Sequence, residues 1–276
     1  MHNARRPRRS EAAADPTKPV SRPPVGLRGS FDQGQSGVSN RPREHISVIV
    51  PAHGRADLTE QVAGHLDGVE SILVDNGSTL QSLHPLFDKV VSLERNEGFA
   101  KGCNEGAKAA SGEILIFLNN DTIPKPGWAD ALSRCFDDPQ VGIAGSLLLY
   151  PDRRVQHAGV ALGIVNGVLT ASNIGRGETL NREHCIPREV DAVTGACMAV
   201  RREAWTGFDE GYWNGYEDID LCLTARALGW KVVYEPSSVV VHLESQSGPD
   251  RWSGVQDNVR RLQERWGEKW QLTPST

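Results

Sequence analysis

The sequence predicts an α/β fold, a mostly parallel central sheet flanked by helices in a single domain with an extension after it. Three observations lead there. Short β-rich apolar runs alternate with helical stretches from Ile46 onward, the pattern of right-handed βαβ units. The run Glu113–Leu118 is nearly all apolar, as a parallel strand buried on both faces requires. The runs also end in clusters of amides, carboxylates and glycines, which an open α/β sheet would bring together at the carboxyl ends of its strands.

Ile46–Val50 reads as a strand stopped by Pro51. Leu58, Val62 and Leu66, four apart, put a helix over Asp57–Leu66. Ser71–Val74 is a second strand ending in Asp75-Asn-Gly-Ser-Thr79, and Lys89–Leu93 a third. Phe99–Ala110 is a helix stopped by Ser111-Gly112, and Glu113–Leu118 is the fourth strand. After Pro124 the alternation changes. A helix is expected over Trp128–Phe136 and a strand over Val141–Leu149. The Gly-rich stretch 159–177 is a mobile loop or a loosely paired hairpin. A strand over Val190–Arg201 follows, then a helix over Ile219–Leu228 with Leu221, Ala225 and Leu228 facing inward. Strands over Lys231–Tyr234 and Val239–Leu243 precede a last amphipathic helix, Val255–Trp266, whose Val259, Leu262 and Trp266 share a face.

Composition narrows the function classes. Hydrophobic residues make up 38% of 276, enough for a core, and no uninterrupted apolar run of membrane-spanning length occurs. Residues 1–44 hold nine Lys/Arg against four Asp/Glu and almost no large apolar side chains, so they are expected to be a disordered basic tail. Such a tail is a solvated extension, or a peripheral contact with an anionic membrane surface. The remaining residues are net acidic, which argues against nucleic-acid binding. No apolar leader segment follows the first arginines. Five dispersed cysteines without a Cys-x-x-Cys pair suit reduced thiols in a cytoplasmic protein and not a zinc site.

Four polar clusters fall at predicted strand ends: Pro51-Ala52-His53-Gly54-Arg55, Asp75-Asn76-Gly77-Ser78, Arg95-Asn96-Glu97-Gly98 with Asn104, and Asn119-Asn120-Asp121. Each alone is a common turn sequence; in register, they point to one shared ligand. Asp121 at the end of a buried strand suits a divalent cation bridging a phosphate, since Mg2+ is held by one or two carboxylates plus substrate phosphates. Glu217, Asp218 and Asp220 crowd a helix start, where acidic residues also offset the helix dipole. The aromatics just upstream, Tyr212, Trp213 and Tyr216, suit either a sugar pocket or the core. His242 follows three valines, and taken by itself is more readily a half-buried core histidine than a metal ligand.

Taken together, the segments resemble the family 2 glycosyltransferases, inverting enzymes of the GT-A fold that use nucleotide-sugar donors. The match runs over about 46–245. It rests on Ser47-Val-Ile-Val-Pro51, Val74-Asp-Asn-Gly-Ser-Thr79, Asn96-Glu-Gly-Phe-Ala100 with Asn104, Phe117-Leu-Asn-Asn-Asp-Thr122, Gly195-Ala-Cys197, Glu217-Asp-Ile-Asp-Leu221 and His242. Asn-Asn-Asp-Thr together with Gln156-His-Ala-Gly159 looks most like the rhamnosyl- and galactofuranosyltransferase subgroup.

The resemblance implies a nucleotide-sugar-binding half over 45–125 and an acceptor-binding half over 126–276. In the first, Pro51, Ala52, His53 and Asp75 would line the nucleoside pocket, and Asn96, Gly98, Asn104, Asn119 and Asn120 the donor site beside it. Asp121 and His242 would hold Mn2+ or Mg2+. Asp218 would be the general base, with Glu217 beside it. A UDP- or dTDP-sugar would be the donor, and a glycan or lipid-linked molecule of cell-surface polysaccharide biosynthesis the acceptor. Position 119 is Asn where many relatives carry an acid, so the site has one carboxylate fewer. Other readings of the residues are a sugar-nucleotide nucleotidyltransferase or a non-catalytic sugar-binding scaffold.

Overall fold

The computed structural model describes residues 46–244 and 254–271. The tail expected over 1–44 lies outside the described residues. In chain order the elements are β1 (Ile46–Ala52), α1 (Ala56–Ala63), β2 (Glu70–Asn76), β3 (Lys89–Leu93), α2 (Gly98–Ala109), β4 (Ile114–Leu118), β5 (Thr122–Pro124), α3 (Trp128–Cys135) and β6 (Val141–Leu149). Next come β7 (Val155–His157), β8 (Val160–Val165), β9 (Val168–Asn173), β10 (Arg188–Glu189), β11 (Cys197–Arg201), α4 (Glu217–Ala227), β12 (Lys231–His242), α5 (Val255–Leu262) and α6 (Glu268–Gln271). A single π turn, Gln263–Gly267, joins the last two helices.

Ten strands make one mixed sheet in the order β10-β12-β6-β11-β4-β1-β2-β3, with β5 added to β12 and β7 to β6. The parallel arrangement expected from the sequence is realised in β4-β1-β2-β3 and again in β6 with β12. Between these blocks β11 runs against both neighbours. Its amino end therefore lies beside the carboxyl ends of the others, Cys197 opposite Leu118. The chain leaves β1 for β2 on one side and returns as β4 on the other, and the crevice at such a reversal of strand order is where α/β sheets bind ligands.

Alternate residues of the strands feed two cores, one on each face of the sheet. Ile49, Val74 and Phe117 pack with α2 and α4 through Cys103, Ala107 and Leu221. Val48, Val50 and Ile116 pack with α1 and α3 through Val62 and Leu132. Helix α2 sits close on the sheet because Gly106 has no side chain: a Cβ there would stand 2.4 Å from Ile49. Phe117 is fully buried; removing such a ring costs about 3–5 kcal/mol.

Several boundaries differ from those expected, each for a local reason. Strand β1 runs through Pro51 to Ala52, because pairing with β4 stops at Ile49 and proline there has one neighbouring strand only. Helix α1 ends at Ala63, before Gly64. The stretch 159–177 contains a paired hairpin, β8 on β9, turning at Asn166-Gly167, where both residues take positive φ (52° and 81°). Only Cys197–Arg201 of the expected strand Val190–Arg201 is a strand; the amide of Thr194 is turned instead to the buried His157 ring and that of Gly195 to Asp218 at the crevice. Leu228, expected to face inward, is 62% exposed, since helix α4 stops at Ala227. The two strands expected over Lys231–Leu243 are one, β12, continuing through an irregularity between Glu235 and Val239.

Candidate active site

The sheet edge described above opens on a cavity of about 330 Å³. Its floor comes from strand ends: Pro51, Ala52 and His53 after β1, Asn76 at the end of β2, and Asn119, Asn120 and Asp121 after β4. Thr194, Gly195 and Ala196 enter it from the start of β11, and His242 from the end of β12. Asn96 and Phe99 flank α2, while Trp213, Asn214, Gly215, Glu217 and Asp218 lead into α4. Residues from 51 to 242 thus converge on one space.

Two pairs of groups stand out. The first is Asp121 with His242. Strand β5 pairs with β12, His242 opposite Thr122, and this brings Asp121 Oδ1 to 3.1 Å from His242 Nε2. Both side chains are 9% exposed. Asn119 Nδ2 is 3.4 Å from the same ring nitrogen. On the far side of the ring, His242 Nδ1 is 2.7 Å from Gln156 Oε1. No three His, Cys, Asp or Glu side chains cluster as a metal site among the described residues. A cation here would take two ligands from the protein and the rest from a bound molecule.

The second pair is Glu217 with Asp218, in the first turn of α4. Glu217 is buried and its Oε2 accepts the amide of Gly215 at 2.7 Å. Burial, then the neighbouring Asp218 charge, push its carboxyl up to about 8. Burial also raises Asp218, against the stabilising amides of Gly195 and Ile219 and the hydroxyl of Thr194. Asp218 Oδ2 accepts from the Gly195 amide at 2.8 Å and Oδ1 from Ile219 at 2.8 Å. Carboxyls raised by burial in a cleft are suited to exchanging protons.

The chain before these acids is tightly held. Asn214 and Tyr216 both take left-handed backbone conformations, φ 49° and 74°. Asn214 Oδ1 accepts the amide of Phe99 at 3.0 Å. Asn258 of α5, itself buried, donates to the carbonyls of Trp213 and Gly215 at 2.9 Å each and accepts the amide of Trp213 at 3.0 Å.

Of the thirteen residues given roles by the resemblance, ten line the cavity, and Asp75, Asn104 and Gly98 do not. Asp75 is buried, and its oxygens are taken by the Ser78 amide and hydroxyl and by the Leu80 amide, so it shapes the turn after β2. Asn104 is turned away to the 208–210 segment, bonded to both polar atoms of the Phe208 backbone and to Glu210. Gly98 lies behind the wall with φ 84°, and a Cβ there would meet the Trp213 ring at 3.1 Å. Asn76 contributes where Asp75 does not: its amide bridges Gly98 and Glu97. His53 Nδ1 donates to the Asn76 carbonyl at 2.8 Å. Of the three aromatics, Trp213 lines the cavity and is 37% exposed, while Tyr212 is core. The third acid, Asp220, faces away to Tyr212, Trp266 and Arg265. Thr194 carried no signal in the sequence; it matters through the backbone of its turn.

A sequence model of the family described as Glycosyl transferase family 2 matches residues 47–207. The O-antigen biosynthesis protein RfbC of Myxococcus xanthus is 33% identical over 227 residues, covering 73% of this chain and 17% of that protein. An N-acetylglucosaminyl-diphospho-decaprenol L-rhamnosyltransferase of Mycobacterium tuberculosis is 32% identical over 212 residues, 65% of this chain and 68% of its own. The chain spans about half or less of the length of most curated relatives it matches. Among solved structures, GalNAc-T7 with UDP, GalNAc and Mn2+ superposes with a TM-score of 0.62 at 20% identity, over 81% of this chain and 48% of that one. At that identity the likeness is one of fold.

Proposed function

Because the chain belongs to glycosyl transferase family 2, we propose that it moves a sugar from a nucleoside-diphosphate donor to a hydroxyl of a glycan or lipid-linked acceptor, with inversion at the anomeric carbon. The observation that carries this reading is one cavity lined both by Asp121 with His242 and by Glu217 with Asp218. One pair suits a diphosphate and its cation, the other an acceptor hydroxyl.

In this reading the acceptor oxygen attacks the anomeric carbon and forms the new glycosidic bond. The bond from that carbon to the donor phosphate oxygen breaks, and its electron pair leaves with the nucleoside diphosphate. Asp218 takes the proton of the attacking hydroxyl; such general-base help is worth about 10²–10⁴-fold. The amides of Gly195 and Ile219 hold the carboxylate in place for it. Glu217, buried beside it, limits how much negative charge the pair carries before substrate arrives.

Asp121 and His242 fit a divalent cation by the chemistry of the donor set: a carboxylate oxygen and an imidazole nitrogen 3.1 Å apart, both at the cavity. When bound, such a cation supplies Lewis-acid stabilisation of the charge developing on the leaving diphosphate. Mn2+ or Mg2+ would suit the carboxylate, and an imidazole in the set tilts the preference toward Mn2+. The 45–125 half, ending at Asp121, would take the nucleotide, and the half beyond it the acceptor. The lipid-linked substrate in the name of the mycobacterial relative, and the O-antigen role in that of the myxobacterial one, support a cell-surface glycan precursor as acceptor. The donor in this reading is a UDP- or dTDP-sugar, as the motif resemblance implies. No described helix is long and apolar enough to cross a membrane.

A thermal-shift panel of UDP, dTDP, GDP and their sugars, with and without Mn2+, tests the reading. A ligand at a hundredfold excess over its dissociation constant raises stability by about 2.7 kcal/mol. We expect a Mn2+-dependent shift for one diphosphate, lost in Asp121→Ala. No shift with any diphosphate would overturn the donor site.

A further inference from the structure

Gln156 and His157 lie outside the cavity, yet each bonds to a part of it. They sit on β7, a strand of three buried residues paired with β6 alone. Successive side chains of a strand point to opposite faces, and these two go to different places. Gln156 reaches His242; His157 reaches the turn ahead of β11.

The Gln156 amide has one workable orientation. Its Nε2 lies 3.4 Å from the carbonyl of His242, which only accepts, so the nitrogen must face that carbonyl. Oε1 then faces His242 Nδ1 at 2.7 Å, and the ring proton belongs on Nδ1. A neutral imidazole so arranged presents the Nε2 lone pair toward Asp121 Oδ1, 3.1 Å away. Two acceptors aimed at one point repel unless something positive lies between them. Without Gln156, the proton could move to Nε2 and bond to Asp121 directly, occupying the place a cation needs.

His157 is fully buried, and burial pushes its pKa down to about 4, so it is neutral near pH 7. Nδ1 donates to the Ser146 carbonyl at 3.0 Å, which leaves the Nε2 lone pair to accept the Thr194 amide at 3.3 Å. The next amide, of Gly195, holds Asp218 Oδ2, and the Thr194 hydroxyl bonds the same carboxylate. His157 therefore anchors the turn from behind while the turn grips the acid in front.

We propose that Gln156 and His157 are positioning residues, one for each half of the reaction: Gln156 sets the tautomer and orientation in which His242 meets a divalent cation, and His157 holds the Thr194–Gly195 turn that aims Asp218. This rests on the glycosyltransferase reading above. One short strand then serves both halves of the site, and neither of its polar side chains needs to touch substrate.

The test compares Gln156→Met with His157→Phe, with Gln156→Glu and His157→Gln as variants that keep an acceptor in place. Each is read three ways: histidine nitrogen NMR of the metal-free protein for the His242 tautomer, Mn2+ affinity by electron paramagnetic resonance with saturating UDP, and carboxyl carbon NMR for the titration of Asp218. Glu217, Tyr216 and Cys222 are titratable neighbours of Asp218 and are followed in the same experiments. In Gln156→Met we expect the Nδ1–H tautomer to be lost and Mn2+ affinity to fall about 10–100-fold, the usual effect of removing a ligand's outer partner, with the Asp218 titration unmoved. Gln156→Glu should retain both tautomer and affinity. In His157→Phe the Asp218 titration should move upward as its amide partner loosens, with Mn2+ affinity held; His157→Gln should restore it, and serves as the readout if the Phe variant does not fold.

An unchanged tautomer and equal Mn2+ affinity in Gln156→Met, or an unmoved Asp218 titration in His157→Phe, overturns this inference alone. Wild-type protein that binds no Mn2+ and none of UDP, dTDP and GDP overturns the functional reading and this inference with it.

Discussion

The Gly195 amide stands 2.8 Å from Oδ2 of Asp218, joining the turn that enters β11 to the first turn of α4. The contact fixes the carboxylate without occupying its whole accepting capacity. An acid held this way is aimed, and it still has lone pairs for a substrate proton.

Asp218→Asn keeps an acceptor for the Gly195 amide and removes the base. Transfer should fall by about 10²–10⁴-fold, while titration calorimetry with Mn2+ and the nucleoside diphosphate should give nearly wild-type affinity. Turnover at the wild-type rate would remove Asp218 from that role.

Glu217 gives a pH-dependent stability signal. Its folded pKa is raised above the ordinary carboxyl value. Between the two values the native state holds more protons than the unfolded chain, so stability falls as pH rises through that window. Glu217→Gln abolishes the dependence and can still accept from the Gly215 amide. The melting temperature of the variant should therefore exceed that of wild type by a margin growing from about pH 4.5 toward pH 8. A margin constant with pH would mean that Glu217 titrates normally.

Asn258→Ala should strip three hydrogen bonds from the Trp213–Gly215 loop. These backbone groups are part-buried, so losing a partner costs less than the ~1–3 kcal/mol of a fully buried group. Urea denaturation measures that loss. Amide exchange at residues 213–216 should accelerate more than exchange in the sheet. Uniform acceleration across the molecule would mean that Asn258 is merely a core residue.

Much of this was legible in the sequence because it depends on local pattern. Lys89–Leu93 and Val141–Leu149 end where their apolar runs end. Asp121 stands out as a polar residue closing a buried strand, whereas His242 after three valines reads equally as a core histidine, and only the pairing of β5 with β12 brings the two together. Asp75 has no single reading in the sequence, since a carboxylate that folds its own turn has the same neighbours in sequence as one that meets a ligand. The chain around Pro236 also reads as a break, and only a long-range fact, pairing of β12 with β6 on both sides of it, makes it one strand. Gln156 and His157 were legible only as part of a motif that carried the resemblance, and Thr194 and Asn258 were beyond local reading altogether. Their roles are contacts to distant backbone, and no spacing in the sequence encodes a partner 37 or 45 residues away.

Asn258, pinning the loop ahead of Glu217 and Asp218 from α5, also sets an order in time. On the ribosome, at ~5–20 residues per second, Asp121 emerges many seconds before His242, its partner at the cavity, whereas Asn258 follows His242 almost at once. Neither pair of groups is therefore in place until the chain is nearly finished. Both halves of the site are completed together, and competence arrives with almost the last helix to be synthesised.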